Sequence, residues 1–207
     1  MSDDSNGLNE KFDAIDRYEH MVNIQIQTLD GIDNKAEYLT RYIAVLLALV
    51  FTGASFVVDD LGSVEPGWSI LLPSILGLGG LAVALIFSTI TYLSSTFQYG
   101  PNRDFALDVA NQDIGQKTYA EIMLRAYRDA LYQNKKVVQQ NSKRFKIALN
   151  SLLVGILFLT AGAVGFLGGF KMYLSAMLVT LVLALVLSWY ILTEQYLVLE
   201  PEKLSHE

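Results

Sequence analysis

Four charged residues stand directly before the first long apolar segment, within the stretch IDNKAEYLTRY (32–42): Asp33, Lys35, Glu37 and Arg41. Asn34 and Glu37 have the spacing of a capping box, in which two side chains bond free backbone N–H groups at a helix start. Lys35 and Arg41 carry positive charge at what would be the edge of a membrane. Neither role accounts for Asp33 beside Lys35, so we take Asp33, Lys35 and Arg41 as candidate functional or interface residues.

The rest of the sequence offers no constellation of side chains for catalysis. The two histidines, His20 and His206, have no metal-ligating partner at a useful spacing. The absence of cysteine excludes thiol catalysis, disulfides and Cys-ligated zinc. Neither a G-x-S-x-G motif nor a P-loop occurs. We therefore predict that the protein is not an enzyme and that it carries no cofactor or metal.

Asn150 is the remaining polar candidate, about one helical turn into the apolar run that begins at Ile147. An amide inside a membrane helix usually hydrogen-bonds to a neighbouring helix. The alternative is a polar ring that lines a pore. We favour the bond between helices and take Asn150 as a candidate interface residue.

The elements that position these residues are long apolar runs. Tyr42 to Val58 and Trp68 to Leu93 contain no charge, and Ile147 to Leu192 contains only Lys171. A membrane-spanning helix needs about 20 mostly apolar residues, and the third run has the length of two spans. Its natural break is at Gly168, Gly169 and Lys171. We predict an all-α membrane protein with four transmembrane helices in two hairpins, residues 42–93 and 147–193.

The composition agrees with a membrane protein that carries some soluble mass. The chain is 52% hydrophobic and 17% charged, whereas soluble domains are about 25% charged. The alternative, a set of buried helices in a large soluble core, would show polar residues at regular intervals in these runs. The net charge of −6 argues against nucleic-acid binding.

The distribution of Lys and Arg predicts the orientation. Thirteen of the 15 basic residues lie before the first run or between the second and third runs. Four spans place both segments on one side of the bilayer, and basic loops face the cytoplasm. We therefore predict a multi-pass protein of the cell membrane with both termini in the cytoplasm.

The N-terminal segment is predicted to be a disordered tail (1–9) and a cytoplasmic amphipathic helix (10–41). The apolar stripe of that helix is Ile15, Tyr18, Val22, Ile26, Leu29 and Ile32. Gly31 and the capping-box pair predict that this helix ends near residue 31 and that a second one starts at Asn34.

The middle segment, 94–146, is predicted to be cytoplasmic and helical. A short helix at about 103–110 precedes the breaking sequence DIGQK, and a long helix starts at Thr118 and continues as the third span. Its predicted buried stripe is Tyr119, Met123, Ala126, Ala130 and Val137, followed by an amide-rich face. These stripes either pack on each other or form an oligomer interface, and we favour the first. Residues 194–207 are predicted to be a cytoplasmic tail.

Small residues recur in the spans: Gly77, Gly79, Gly80 and Ala84 in the second, and Ser151, Gly155, Ala161, Gly165 and Gly169 in the third. Such residues let helices approach closely. We favour packing within one four-helix bundle over contact between subunits. The apolar runs hold no charged residue apart from Lys171, which disfavours proton-coupled pumps and substrate-coupled transporters.

The order of elements resembles a family of small membrane effectors. An amphipathic helix and an Asp-x-Lys-Ala element (Asp33, Lys35, Ala36) lead into a membrane hairpin, followed by YAEIMLRAYRDALYQNKKVVQQNSKRFKIAL. This resembles the Pycsar transmembrane effector and SLATT-type proteins of prokaryotic antiphage signalling, over roughly residues 10–165. The resemblance implies an oligomer that a cyclic nucleotide, or a partner that makes one, triggers to disrupt the membrane. The nucleotide site would lie on the cytoplasmic helices, and no residue here matches a known nucleotide-binding motif.

Our prediction is a homo-oligomeric membrane protein whose cytoplasmic helices respond to a cytoplasmic nucleotide signal or protein partner and alter membrane permeability. The first alternative is a structural or adaptor protein that docks a cytoplasmic partner on these helices. The second is a small passive channel with neutral selectivity through Ser, Thr and Asn side chains. All three place the chain in a lipid bilayer and involve no nucleic acid.

Overall fold

The computed structural model describes residues 2–61, 67–94, 96–101 and 114–193, and within them side chains at all positions except 2–6, 56–61, 69 and 167–172. Three helical elements occupy most of this part: α1 (Ser2–Leu61), α2 (Trp68–Leu93) and α3 (Gln116–Leu192). No strand occurs in these ranges. The predicted all-α fold is confirmed.

Four stretches of these helices are long and apolar enough to cross a membrane, which confirms the predicted number of spans. They are Gly7–Ser55 within α1, Ile70–Leu93 within α2, and Gln116–Phe166 and Tyr173–Leu192 within α3. Their large apolar side chains are widely exposed: Leu49 is 66% exposed and Leu185 is 63% exposed. Such exposure suits a surface that faces lipid rather than water.

The predicted helix boundary at Gly31 is wrong, because α1 continues through this position to Leu61. A glycine inside a helix costs only about 1 kcal/mol relative to alanine. Leu29 and Ala36, on either side of it, are fully buried. Their packing stabilises the helical path more than Gly31 weakens it, since most helical stability in proteins comes from tertiary packing.

Two further differences concern the helix starts. α1 begins at Ser2, where a disordered tail was predicted for residues 1–9. Once a helix is fixed by packing, each added residue gains a hydrogen bond without a new nucleus, so the helix extends toward the N-terminus. α3 begins at Gln116, after Gly115, which is two residues before the predicted start at Thr118. It then runs without interruption into the third span, as predicted. The short helix predicted at 103–110 and the tail 194–207 lie outside the described residues.

The third and fourth spans form the predicted hairpin even though the backbone is helical from Gln116 to Leu192. Leu157 and Val164 line one side of a groove whose other side is formed by Ser175 and Leu183. On a straight helix, Leu157 and Leu183 would lie about 39 Å apart, at 1.5 Å per residue. The chain therefore reverses direction between Val164 and Ser175.

The chain divides into two compact units. Unit 1 comprises Met1–Lys35 and Thr91–Lys143, and unit 2 comprises Ala36–Ile90 and Arg144–Glu207. Unit 2 has a buried core of Leu39, Ile43, Leu81, Ala84, Ala148 and Leu152. Beside this core, the hydroxyl oxygens of Thr40 and the fully buried Ser88 lie 2.8 Å apart, which joins α1 to α2 by a polar contact.

Gly77, Gly80 and Gly155 bring the backbones of α2 and α3 into direct contact; we call these three residues the glycine seam. A Cβ atom on Gly80 would lie 2.8 Å from Cα of Gly155, and one on Gly155 would lie 3.0 Å from the Gly77 carbonyl oxygen. Real Cβ atoms essentially never approach another atom to 2.8 Å, and a distance of 3.0 Å is tighter than most of their contacts. These three of the small residues in the second and third spans therefore pack helices of the same chain against each other.

Candidate functional site

Unit 1 is built around the contact between the N-terminal half of α1 and the N-terminal part of α3. Ile15 and Val22 of α1 pack with Ala120, Tyr127 and Ala130 of α3. The predicted stripe of α1 is confirmed at these positions and at Leu29, which is fully buried. The two amphipathic faces thus serve a core inside one chain.

The buried face of α3 differs from the predicted one. Of the predicted stripe only Ala130 is fully buried, and the buried positions are Ala120, Tyr127, Ala130, Asn134 and Asn141. The buried face is displaced around the helix axis from the predicted one, toward Ala120 and Tyr127, and it includes two side chains of the amide-rich face, Asn134 and Asn141. Their burial requires hydrogen-bond partners, since an unpaired amide in a core is costly.

An ion pair fixes the register of the two helices in unit 1. Lys11 Nζ lies 2.7 Å from Glu121 Oε1, and the two residues are 110 positions apart. Val22 packs in the same core as Ala130, further along both helices, so α1 and α3 run parallel here. The hydrogen bond and positive charge of Lys11 lower the pKa of the Glu121 carboxyl below its usual value.

The two buried asparagines hold a segment without regular secondary structure that follows α2. We call this segment, Ser94 and residues 96–101, the strap. Asn134 Nδ2 donates to the Gln98 carbonyl oxygen at 2.9 Å, and the Gln98 N–H donates to Asn134 Oδ1 at 3.1 Å. A side-chain amide matches both groups of a backbone amide, so Asn134 pairs with Gln98 as a neighbouring strand would.

A second asparagine secures the start of the strap. Ser94 Oγ donates to Asn141 Oδ1 at 3.1 Å. Asn134 and Asn141 are 2% and 1% exposed. They lie seven residues, about two helical turns, apart on the same face of α3. The strap therefore runs along α3 and is held at two points, at Ser94 by Asn141 and at Gln98 by Asn134.

Gly100 lets the strap turn closely over the ring of Tyr127. Its φ is +109°, which side chains other than glycine rarely adopt. A Cβ atom here would lie 2.7 Å from Cε1 of Tyr127. Burial is the main cause that raises the pKa of the Tyr127 phenol, and the negative charge of Glu19 adds to it.

A cavity of about 600 Å³ lies between the strap and α3. Residues 97–101 form one wall, and Ile122, Ala126, Asp129 and Gln133 form the other. This volume lies within the range of about 300–1,000 Å³ typical of small-molecule sites. We call it the strap cavity and take it as the candidate functional site.

The lining of the strap cavity combines aromatic and polar groups. The rings of Phe97 and Tyr99 have centroids 6.1 Å apart and are tilted by 59°. Asp129 supplies a carboxylate, which lies 3.2 Å from Arg128, and Gln133 supplies an amide. Aromatic faces hold planar rings, and the carboxylate and amide accept or donate hydrogen bonds at a ring edge. The only sequence signal for this site was the amide-rich face of α3.

None of the four candidate residues from the sequence lines the strap cavity. Lys35 and Arg41 are exposed, and Arg41 forms an ion pair with Glu37 one turn away. Asp33 is half-buried and takes part in a polar interaction, although its Oδ1 accepts no hydrogen bond. Asn150 is half-buried, and its enclosed Oδ1 accepts no hydrogen bond from any described residue. The bond between helices predicted for Asn150 is thus not seen within the described part of one chain.

Comparison with known proteins identifies the family. No curated protein and no solved structure matches the chain. A family model, PycTM, described as the Pycsar effector protein domain, matches residues 17–169. That match includes the strap, the glycine seam, Asp33, Lys35 and Asn150, and it covers well over half of the chain. The family is a membrane effector domain and not a known enzyme family. The chain therefore belongs to the Pycsar effector family, as a transmembrane effector domain in defence.

Proposed function

We propose that the protein is an oligomeric effector of the cell membrane in which unit 1 receives a cytoplasmic signal in the strap cavity and the spans respond by changing membrane permeability. The observation that carries the proposal is the strap cavity itself, an aromatic and polar site of ligand size in unit 1. The concentration of basic residues around unit 1 supports a cytoplasmic orientation of this unit and of both termini.

The connection of the strap to the second span supports a route from ligand to membrane. The strap starts at Ser94, directly after Leu93, the last residue of α2. α2 in turn contacts α3 through the glycine seam. A ligand that shifts the strap would therefore pull on the end of a helix that is packed against its neighbours through the glycine seam and the core of unit 2. Closely packed interfaces respond by switching between arrangements rather than by bending gradually.

The family resemblance implies a cyclic nucleotide as the signal, and the cavity has features that suit one. Phe97 and Tyr99 offer surfaces for a base, and Asp129 and Gln133 offer hydrogen-bonding groups for its edge. Arg125 and Arg128 each stand next to a lining residue in the chain, Ala126 and Asp129. They would be the first candidates for the phosphate.

Exposed apolar side chains in unit 1 support self-association. Met21 and Ile24 on α1 are 52% and 48% exposed, on the side of the helix away from the buried Val22. These side chains lie outside the uncharged run that begins at Tyr42. A second copy of the chain would remove this apolar area from water.

Vesicle permeability tests the proposed function. We expect the full-length protein, reconstituted in vesicles loaded with a self-quenching dye, to release dye when one of a panel of 3′,5′-cyclic nucleotides is added. Asp129→Ala and Gln133→Ala should each raise the half-maximal concentration about tenfold, the loss expected for one ligand hydrogen bond. Lys117→Ala, exposed at the start of α3, is the matched control. A monomer in detergent, together with silent vesicles for every nucleotide, would contradict the proposal.

The Asp33 and Lys35 pair provides a separate prediction. If this pair contributes to the function, we expect Asp33→Ala with Lys35→Ala to lower the oligomeric fraction in detergent and the toxicity of overexpression. Asn34→Ala changes an exposed residue between the two and should have no effect on either readout. Wild-type assembly and toxicity in the double variant would show that IDNKAEYLTRY is only the flank of a span.

A further inference from the structure

The charge of the chain is distributed unevenly along α3. Residues 135–146 hold five basic side chains and no acidic one: Lys135, Lys136, Lys143, Arg144 and Lys146. No Asp or Glu occurs between Asp129 and Glu194, although the whole chain has a net charge of −6. This stretch is therefore strongly positive within an acidic protein.

Three of these lysines have no acidic partner among the residues that the structure describes. Lys135, Lys136 and Lys143 are exposed, and none of them forms an ion pair or a side-chain hydrogen bond within the described part of the chain. By contrast, Lys11, Arg17, Arg41 and Arg128 are all paired with carboxylates. Lys136 and Lys143 are seven residues apart and thus share one side of the helix, with Lys135 next to them. We call these three lysines the basic face.

The basic face precedes the third apolar run by a short distance along α3. Lys143 lies four residues before Ile147, where that run begins, and Lys136 lies eleven residues before it. At 1.5 Å per residue these separations are about 6 Å and about 16 Å. The headgroup layer extends about 5–8 Å beyond the hydrocarbon on each side. Lys143 therefore reaches the headgroups, and the other two lysines lie within about one Debye length of them, given that this length is about 8 Å at physiological salt.

We propose that the basic face binds the phosphate groups of anionic phospholipids in the leaflet that the third span enters. An unpaired lysine close to a membrane surface attracts anionic lipid, and several together act additively. The bilayer is the one source of phosphate that lies beside these side chains whenever the protein is inserted. The preference of basic loops for the cytoplasmic side sets orientation only and does not by itself require bound lipid.

Lipid retention tests the proposal. The full-length protein is purified in a mild detergent and titrated with phosphatidylglycerol or phosphatidylcholine, and bound lipids are counted by native mass spectrometry. We expect the wild type to bind phosphatidylglycerol more tightly than phosphatidylcholine. The triple variant Lys135→Gln, Lys136→Gln, Lys143→Gln should bind phosphatidylglycerol about tenfold or more weakly, because it loses the attraction of three lysines to the anionic headgroup. Binding should also weaken at 0.5 M NaCl.

The control variant is Lys117→Gln, which removes an exposed lysine from the start of α3, far from the third apolar run. It should retain phosphatidylglycerol as the wild type does. Inorganic phosphate added in excess should not displace the lipid if the bilayer is the source of the phosphate. Equal retention of both lipids, an undiminished preference in the triple variant, or displacement by inorganic phosphate would each overturn the proposal.

Discussion

Gly80→Leu should strongly destabilise unit 2, since the new side chain has no space between α2 and α3. The first added atom, Cβ, would lie 2.8 Å from Cα of Gly155 and 3.0 Å from the Ser151 carbonyl oxygen. Both obstacles are backbone atoms, which cannot move aside by a change of rotamer. Overpacking of a well-packed core costs about 1–3 kcal/mol, and a branched side chain against backbone lies at the upper end. The expected result is a clear drop in melting temperature in detergent and lower accumulation in the membrane.

Gly79→Leu is the matched control for this prediction. It introduces the same side chain one residue earlier in α2, where a Cβ atom would meet nothing within 4 Å. We expect its melting temperature to stay close to that of the wild type. Gly80→Ala should lie between the two. If Gly79→Leu and Gly80→Leu melt alike, the two helices do not meet at the glycine seam in the membrane.

The comparison of Gly79 with Gly80 shows what the sequence determines and what it leaves open. Uncharged runs of the right length predict the four spans, because a bilayer excludes charge whatever the tertiary packing. The cluster of glycines predicts close contact with another helix. The rotation of α2 decides that Gly80, and not Gly79, makes that contact. This rotation depends on the shapes of both partner surfaces, which no local pattern contains.

The same limit explains where the structure differs from the sequence predictions. Gly31 predicts a helix end because propensity is a local property, yet α1 continues through it with buried residues, Leu29 and Ala36, on both sides. The amide-rich face predicted for α3 contains Asn134 and Asn141, but hydrophobic periodicity does not indicate which amides are buried. Both are buried because the strap supplies them with partners. The candidate site was missed for this reason: the segment that satisfies these amides has no periodic pattern of its own.

Asn134→Leu should release the strap while α3 stays helical. Leucine is similar in size and suits a helix, but it cannot bond the backbone N–H and carbonyl of Gln98, which now lie 3.1 Å and 2.9 Å from the Asn134 amide. These hydrogen bonds are partly buried, and a backbone group left there without a partner costs up to about 1–3 kcal/mol, so the strap gains by moving into water. Hydrogen exchange at the Gln98 amide should become much faster, whereas the amides of α3 should keep their protection.

Two further variants separate the role of the hydrogen bonds from that of side-chain volume. Asn134→Asp keeps an acceptor for the Gln98 N–H but loses the donor to its carbonyl oxygen, so exchange at Gln98 should lie between wild type and Asn134→Leu. Gln139→Leu places the same apolar side chain on an exposed position of α3 and should change nothing at Gln98. Unchanged exchange at Gln98 in Asn134→Leu would mean that the strap is held by other contacts. A second outcome is faster exchange at Gln98 together with loss of nucleotide-triggered dye release, in a variant that still inserts and folds. This outcome would connect the Asn134 anchor to the proposed response, because the strap forms one wall of the cavity and continues directly from the second span.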